Sequence, residues 1–344
     1  MLKEILSNNE LELLKRLIAQ SDNIAVCCHV HPDGDAIGSC LGWADCLRLM
    51  GKDPSIIIPD QYPDFLQWLP GTHRIVRYDK HTAEADALLG DCDLLFCLDF
   101  NCASRTDQMA DAITRSHAAK VMIDHHLQPS MDCALLVSHP DFSSTCELVF
   151  NIVWQMGVFE QLGTSFAVPI YCGMMTDTGG FTYNSTRPEI FFAISMLLSK
   201  GIDKDKIYRN VYNNYSENRM RLIGYVLYEL LVVDQEHHAS FFALTRDDLR
   251  RFHFVKGDAE GLVNMPLQIK GMKLSISLRE DTERDNTVWV SLRSVDKFPC
   301  NKVAEAFFNG GGHLNASGGR LDCSMEEAID VTKRALLHFE SALK

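Results

Sequence analysis

The chain has 344 residues and a formal net charge of −13, with 46% hydrophobic and 23% charged residues. This is the composition of a folded globular protein, and the length exceeds what one hydrophobic core usually supports, so two domains are expected. Long nucleic acids and membranes are not expected as partners, because the chain is acidic and has no apolar stretch near the ~18 residues of a membrane span.

The first 200 residues alternate short apolar runs with helical stretches. A capped amphipathic helix, rather than a signal peptide, is predicted to follow Ser7. Buried strands are predicted at five apolar runs, residues 24–28, 56–58, 94–98, 121–123 and 170–176. Helices are predicted at residues 38–50, 107–117, 144–156 and 188–200. This alternation is typical of a doubly wound, mainly parallel α/β sheet with right-handed crossovers.

The pattern changes after residue 202. Residues 203–235 are predicted to form a helical connector between a first domain, residues 1–202, and a smaller α/β domain, residues 236–344. In that second domain, strands are predicted at residues 239–244, 273–278 and 287–292. A glycine-rich loop follows near residue 310, and a terminal helix begins at about Met325.

Four of the predicted strands in the first domain end in carboxylates or histidines. The residues at these ends are His29, Asp33 and Asp35, then Asp99, then Asp124, His125 and His126, and finally Asp177. Because ligands bind at the carboxyl ends of strands in an open α/β sheet, these side chains are expected to meet in one crevice. So many like charges would repel each other unless divalent cations neutralise them, which indicates a metal-dependent hydrolase.

The candidate ligands are mostly oxygen atoms with a minority of imidazole nitrogens, which favours Mn²⁺, with Mg²⁺ as the alternative. Six ligands are too many for one such ion that must also hold water. Two ions roughly 3.5–4 Å apart, sharing a carboxylate, fit better and suit phosphoryl transfer.

The glycine-rich segment at residues 309–319 is the second candidate site. Gly310, Gly311 and Gly312 allow a phosphate to approach the backbone, and His313 and Ser317 can add hydrogen bonds. Arg279 and Arg293 are candidate phosphate partners through bidentate contacts, although solvated strand charges explain them equally well.

Cysteine usage indicates the compartment. The twelve cysteines include no C-x-x-C pair, and several lie inside apolar runs. Buried free thiols in a reducing cytoplasm are therefore expected, rather than disulfides or a zinc site.

Together these motifs resemble the DHH phosphoesterase superfamily, specifically its members with a DHHA1 domain, over nearly the whole chain. Residues 33–39 are similar to the family's D-x-D-x-x-G-S loop, with His29 four residues ahead. Asp99, residues 124–126 and residues 177–181 fit the next three signatures, and residues 310–313 fit the GGGH signature. Phe100 departs from the small polar residue that relatives often carry there.

The resemblance implies a role for each residue. His29, Asp33 and Asp99 would hold one metal ion, and Asp35, Asp99, His125 and Asp177 the other. Asp124 would orient a ligand imidazole, His126 would face the substrate, and Arg105 would reach a phosphate.

Within the superfamily, a chain of this length resembles the members of the nanoRNase/pAp-phosphatase group. The resemblance therefore implies hydrolysis of very short oligonucleotides such as pApA to nucleoside 5′-monophosphates, with pAp as a further substrate, and it favours a homodimer. Cleavage of cyclic di-AMP is the alternative within the enzyme class. A nucleotide sensor without turnover is the alternative outside it.

Overall fold

The computed structural model describes residues 3–255 and 257–344. The chain divides into two compact units, one ending at Asn214 and one running from Tyr215 to Lys344. Within the described residues, no helix combines the length and the apolar character that crossing a bilayer requires. The two units are described in turn.

The first unit is built on a six-stranded sheet in which every neighbouring pair is parallel. Its strands are β1 (Ile24–Cys27), β2 (Ser55–Ile58), β3 (Ile75–Arg77), β4 (Leu94–Leu98), β5 (Ala119–Asp124) and β6 (Leu135–Ser138). Their order is β3-β2-β1-β4-β5-β6, so the winding direction reverses between β1 and β4. The predicted doubly wound parallel sheet is confirmed, and its switch point is the expected ligand crevice.

Helices cover both faces of this sheet. They are α1 (Asn8–Gln20), α2 (Gly34–Leu49), α3 (Thr82–Asp91), α4 (Ala110–Arg115), α5 (Thr145–Met156), α6 (Thr164–Asp177), α7 (Pro188–Ser199) and α8 (Lys204–Tyr212). One core holds α1, α2, α5, α6 and α7, and the opposite core holds α3 and α4. The two central strands, β1 and β4, are buried along their whole length, and their sequences are therefore continuously apolar rather than alternating.

Two predictions for the first unit were wrong in detail. Residues 170–176 form the end of α6, not a strand. The apolar stretch continues upstream through Phe166, which makes it long enough for a helix, and Pro169 hid that continuity because proline is rare inside helices. The helix predicted at 107–117 begins later, since a 3₁₀ segment at Ala103–Met109 precedes α4.

The second unit contains a mixed six-stranded sheet. Its strands are β7 (Val232–Asp234), β8 (Ala239–Leu244), β9 (Leu274–Glu280), β10 (Val288–Ser294), β11 (Gly311–Gly312) and β12 (Ala316–Leu321), in the order β11-β12-β10-β9-β8-β7. Only β8 and β9 pair in parallel among these described strands. The segment predicted as a glycine-rich loop forms the β11–β12 hairpin instead. The sequence did not indicate these strands because glycine has a low strand propensity.

Helices pack on both faces of the second sheet. They are α9 (Glu217–Tyr225), α10 (Arg246–Arg251), α11 (Cys300–Phe307), α12 (Met325–His338) and α13 (Glu340–Leu343). The core under α11 and α12 is separate from the one that includes α9 and α10. The predicted connector at residues 203–235 spans α8 in the first unit and α9 and β7 in the second, and its role as a connector stays a prediction.

Candidate metal centre

The loop after β1 supplies the first two candidate ligands. His29 is buried, and its Nδ1 lies 2.8 Å from the carbonyl oxygen of Val30. Because a carbonyl can only accept, Nδ1 donates this hydrogen bond, and Nε2 is the nitrogen that faces Asp99, with 3.3 Å between Nε2 and Oδ2. Asp33 caps α2, since its Oδ1 accepts from the amides of Asp35 and Ala36 at 3.0 Å.

Asp35 lies in the first turn of α2 with 1% of its surface exposed, and it points at another helix. Its Oδ2 accepts from the amide of Thr145 at 2.6 Å, and its Oδ1 accepts from the amide of Cys146 at 2.8 Å. Both amides belong to the first turn of α5, where the helix dipole favours a negative charge. The carboxylate is therefore fixed in direction by two backbone donors.

Asp99 is at the centre of the cluster, immediately after β4 and 2% exposed. Its backbone has a φ of 63°, an uncommon conformation that a side chain such as aspartate tolerates. Oδ1 accepts from the hydroxyl of Thr145 at 3.0 Å and lies 3.6 Å from His125 Nε2. The left-handed turn therefore directs the carboxylate toward ligands from both neighbouring strands.

The two histidines after β5 are oriented by different acceptors. His125 Nδ1 lies 3.2 Å from the carbonyl oxygen of Phe142, which leaves Nε2 as the nitrogen that faces the acidic cluster. His126 Nδ1 lies 2.7 Å from Oδ1 of Asp124, a completely buried carboxylate. The structure thus places Asp124 against His126, whereas the candidate ligand His125 is oriented by a backbone carbonyl.

Asp177 reaches the cluster because α2 and α6 pack unusually close together. A Cβ added to Gly34 of α2 would lie 2.2 Å from the Thr176 hydroxyl oxygen of α6. One added to Gly173 of α6 would lie 3.1 Å from Cα of Asp35 in α2, as well as 2.2 Å from Sγ of Cys146 in α5. These glycines let the end of α6 lie against the start of α2. Asp177, the last residue of α6, then lies with Oδ2 3.5 Å from Nε2 of His125.

These side chains form three overlapping sets of metal-ligand atoms, each set within 4.8 Å. The sets are His29, Asp33 and Asp99, then Asp35, His125 and Asp177, then Asp99, His125 and His126. The six candidate ligands thus come together in the first unit, with Asp99 in two of the sets. That these side chains bind divalent cations, as the family resemblance implies, stays a prediction.

The electrostatics of the cluster fit a cationic occupant. Burial raises the pKa of Asp35 well above its usual range, and the charges of Asp99 and Asp177 raise it further. Burial also raises the pKa of Asp177, to about 7, against the opposing charge of His125. Among the described residues, the cationic ion-pair partners of these carboxylates are all imidazoles.

The imidazoles of the cluster hold their protons more strongly than a free histidine does. Burial alone would lower the pKa of His29, but its hydrogen bond to Asp99 and that residue's charge raise the pKa to about 9. Burial likewise opposes the charge of His125, whose pKa nevertheless rises to about 9 because of Asp177, Asp99 and Asp35. Divalent cations would satisfy the same carboxylates without these protons, so the donor set fits them.

Arg105 lies in the first unit on the 3₁₀ segment that follows Asp99. It is half-buried, and its charge opposes protonation of His29, which places the guanidinium near the first ligand set. The carbonyl oxygen of Arg105 also accepts from the amide of Val30 at 2.7 Å, which ties the two ligand loops together.

The other predicted substrate residues belong to the second unit. A Cβ on Gly310 would lie 1.9 Å from the carbonyl oxygen of Gly318, and Gly312 has a φ of 140°, so the hairpin requires glycine at both positions. Ser317 is buried, and its hydroxyl donates to the carbonyl of His313 at 2.8 Å, inside the hairpin. Gly311 has open space where a Cβ would be.

The two candidate arginines of the second unit are both half-buried. Arg279 lies over the ring of Phe254, 5.4 Å from its centroid, and burial lowers the pKa of its guanidinium. Arg293 donates to the carbonyl of Leu292 at 2.9 Å. A role for either in phosphate binding stays a prediction.

Sequence reasoning missed the groups that hold the ligands in place. The carbonyl of Phe142, the amides of Thr145 and Cys146 and the hydroxyl of Thr145 contact three candidate ligands. Most of these are backbone atoms, which residue types do not reveal. The available signal was the N-cap at Ser144, which predicts a helix start with outward-facing amides.

Comparisons with known proteins agree with this geometry. A model described as "DHH family, N-terminal domain" matches residues 23–174, and a model of the DHHA1 domain matches residues 249–338. The chain is 26% identical over 318 residues to the bifunctional oligoribonuclease and PAP phosphatase NrnA of Thermus thermophilus, which covers 91% of this chain and 90% of that protein. It is 25% identical to the cyclic-di-AMP phosphodiesterase GdpP of Bacillus subtilis over 94% of this chain and 49% of that protein. The crystal structure of an exopolyphosphatase-related protein from Bacteroides fragilis matches with a TM-score of 0.96, 48% identity and 99% coverage of both chains.

Proposed function

The chain belongs to the DHH family and carries a DHHA1 domain, and from this premise we propose that it is a two-metal phosphodiesterase acting on very short oligonucleotides. Its products would be nucleoside 5′-monophosphates, and pAp would be a further substrate. The observation that carries the proposed reaction is the set of buried and half-buried carboxylates and imidazoles around Asp99 at the switch point of the sheet. The relation to NrnA over about nine-tenths of both chains supports the substrate class.

The proposed cations would be held by the two ligand sets that the family resemblance implies. One set is His29, Asp33 and Asp99, and the other is Asp35, His125 and Asp177, with Asp99 shared. When bound, two divalent cations activate water and stabilise the charge that develops on a transferred phosphoryl group. Mn²⁺ is the proposed metal, because oxygen ligands with a minority of imidazoles suit it.

The remaining side chains of the first unit would act on the substrate. The hydrogen bond between His126 Nδ1 and Asp124 fixes the tautomer of His126, so its Nε2 carries the lone pair. In this proposal Nε2 of His126 takes up a proton from solvent, and the charged imidazole, stabilised by Asp124, donates that proton to the leaving oxygen as the P–O bond breaks. Arg105 would bind a non-bridging phosphate oxygen.

The β11–β12 hairpin would bind the distal phosphate of a short substrate. Its glycines leave the backbone accessible beside Gly311, and His313 and Arg293 would supply side-chain donors. Binding of the far end would make the enzyme select for length. A long strand should therefore react more slowly than a dinucleotide.

Cleavage of cyclic di-AMP is a second candidate, favoured by the match of GdpP to 94% of this chain. The ligand cluster would be the same, and only the fit of the nucleotide would differ. A nucleotide sensor is the third candidate, but a protein that only binds does not need six converging metal ligands.

The test is to incubate the protein with Mn²⁺ or Mg²⁺ and each of pApA, pAp, cyclic di-AMP and a long single strand, and to separate the products. We expect rapid release of AMP from pApA, slow reaction of the long strand, and loss of both with Asp99→Asn. Preferred turnover of cyclic di-AMP would favour the second candidate. Binding without turnover of any substrate would refute the enzyme and favour the sensor.

A homodimer and a cytoplasmic location are parts of the same proposal. Light scattering on the purified protein tests the first, since a monomeric mass at working concentrations would refute it. Fractionation of cells with an antibody against the protein tests the second.

A further inference from the structure

A short segment at residues 142–147 contacts three of the candidate metal ligands without supplying a ligand itself. It enters α5 through its N-cap at Ser144. Its contacts are the Phe142 carbonyl to His125 Nδ1 (3.2 Å), the Thr145 and Cys146 amides to the Asp35 carboxylate (2.6 and 2.8 Å), and the Thr145 hydroxyl to Asp99 (3.0 Å). The direction of each of these three ligands therefore depends on where the segment lies.

The segment is in turn held by a buried ion pair between Glu147 and Arg187. The side chain of Glu147 is completely buried, and its Oε2 accepts from both the amide and the hydroxyl of Ser143 at 2.8 Å. Its Oε1 accepts from the guanidinium of Arg187. The same guanidinium lies over the ring of Phe142, 4.4 Å from the centroid. One ion pair thus fixes two consecutive residues of the segment.

The chemistry of the pair suits this task. A carboxylate buried without a cationic partner would be costly, whereas here Arg187 and two donors from Ser143 satisfy Glu147. Arginine can bind a carboxylate and lie flat against an aromatic ring at the same time, which lysine does less well. Arg187 also ends the loop that follows Asp177 and immediately precedes α7. The pair therefore connects the loop that follows Asp177 to the segment that contacts Asp35, Asp99 and His125.

We propose that Glu147 and Arg187 are positioning residues for the metal centre, and that their ion pair holds segment 142–147 where it aligns Asp35, Asp99 and His125 for cation binding. The inference rests on the metal centre of the proposed function but not on any particular substrate. Groups that orient metal ligands typically change metal affinity or activity by about 10- to 100-fold when removed.

The test measures Mn²⁺ affinity without substrate, by calorimetric titration of metal-free protein and by the electron paramagnetic resonance signal of free Mn²⁺. Glu147→Gln and Arg187→Gln should each weaken Mn²⁺ binding by about 10- to 100-fold. Arg187→Lys should weaken it less, because it keeps the charge but loses the contact with the ring of Phe142. Activity lost in these variants should return as the Mn²⁺ concentration is raised.

Asp141→Asn is the matched control. Asp141 lies in the same loop, but it is exposed and pairs at 3.3 Å with Lys3 at the surface, outside the contacts to the ligands. Its Mn²⁺ affinity should equal that of the wild type. A weakened affinity in this variant would show that any change in the loop disturbs the site, and would overturn a specific role for the buried pair.

The outcomes separate this inference from the proposed function. If the variants unfold at lower temperature in chelator but bind Mn²⁺ as the wild type does, the pair is only structural and the inference is overturned. If Arg187→Gln does not fold because it leaves the buried Glu147 carboxylate unpaired, Glu147→Gln and Arg187→Lys decide. The first leaves a guanidinium that is 28% exposed to water, and the second keeps a cation beside Glu147. A wild-type protein that binds no divalent cation would refute the metal centre itself and this inference with it.

Discussion

Replacing Asp99 with asparagine should disturb the candidate metal centre more than any other single change. The substitution keeps the shape of the side chain and removes its charge. The groups it affects are His29 Nε2 at 3.3 Å, His125 Nε2 at 3.6 Å, His126 Nδ1 at 3.7 Å and the Thr145 hydroxyl at 3.0 Å. Asparagine can still accept from one of these donors, but it cannot serve two cations as a shared anionic ligand.

The expected loss of stability in chelator follows from the hydrogen bond to His29. Burial alone would raise the pKa of Asp99, but that bond and the charges of the three histidines hold the pKa below its usual range. The stabilising contribution is therefore present above the unfolded pKa of 3.8 and is lost only as the pH falls into the acid range. A hydrogen bond to a charged group contributes about 1.5–3 kcal/mol. For a unit of this size, that corresponds to a Tm lower by about 3–12 °C at neutral pH.

Mn²⁺ should widen this difference. At a free concentration of about 100 times Kd, a bound ligand adds about 2.7 kcal/mol to the stability of the wild type. Asp99→Asn should gain almost nothing, because both ligand sets lose their common carboxylate. The assay is differential scanning calorimetry of both proteins with chelator and with Mn²⁺.

The control for this experiment is Asp45→Asn, which makes the same change at a half-buried α2 residue bonded to the Ser165 hydroxyl at 2.9 Å. It should respond to Mn²⁺ as the wild type does. The reasoning is refuted if Asp99→Asn is stabilised by Mn²⁺ to the same extent as the wild type. Equal Tm values in chelator would refute the separate argument about the charged hydrogen bond.

Two further predictions concern protons and packing. Burial lowers the pKa of His29 and His125, but adjacent carboxylates raise both to about 9, so the metal-free protein should lose stability as the pH rises from 6.5 to 9. Over the same range Mn²⁺ must displace fewer protons and should bind more tightly, and a flat Tm and affinity across it would contradict both pKa values. Gly173→Ala places a Cβ 2.2 Å from Sγ of Cys146 and should cost about 1–3 kcal/mol of unfolding free energy, measured in denaturant. Gly224→Ala, on α9 with open space around it, should instead be neutral or stabilising by up to about 1 kcal/mol, and equal losses in the two would refute the packing argument.

Much of the first unit was predictable because its central strands are buried on both faces. The runs that form β1 and β4, and residues 121–123 of β5, are continuously apolar, and each is followed by candidate ligands such as Asp99. The β11–β12 hairpin was not predictable in the same way. Its strands consist largely of glycine, which has low strand propensity, and they pair because Gly310 and Gly319 allow the backbones to approach closely.

The groups that orient the candidate ligands could not be predicted from the sequence, for a different reason. The sequence shows Ser144 as a helix cap, but it does not show that the next two amides point at Asp35 from a helix more than a hundred positions away. The pairing of Glu147 with Arg187 could not be predicted from the sequence either. Each residue alone has the pattern of an ordinary charged side chain, and only the fold buries one against the other.

Asp177 shows why the candidate ligands could be predicted to lie together although one of the predicted elements was wrong. The expectation that an acidic residue ends an element at the crevice depends on the carboxylate and on the apolar run before it, and both a strand and a helix satisfy that condition. A strand and a helix differ in how they would bring the Asp177 carboxylate to the crevice. A strand would bring Asp177 to the crevice through sheet register, whereas α6 brings it there through glycine contacts with α2. The position of this ligand therefore depends on side-chain volume at Gly34 and Gly173, and substitutions there should affect metal binding without changing any ligand.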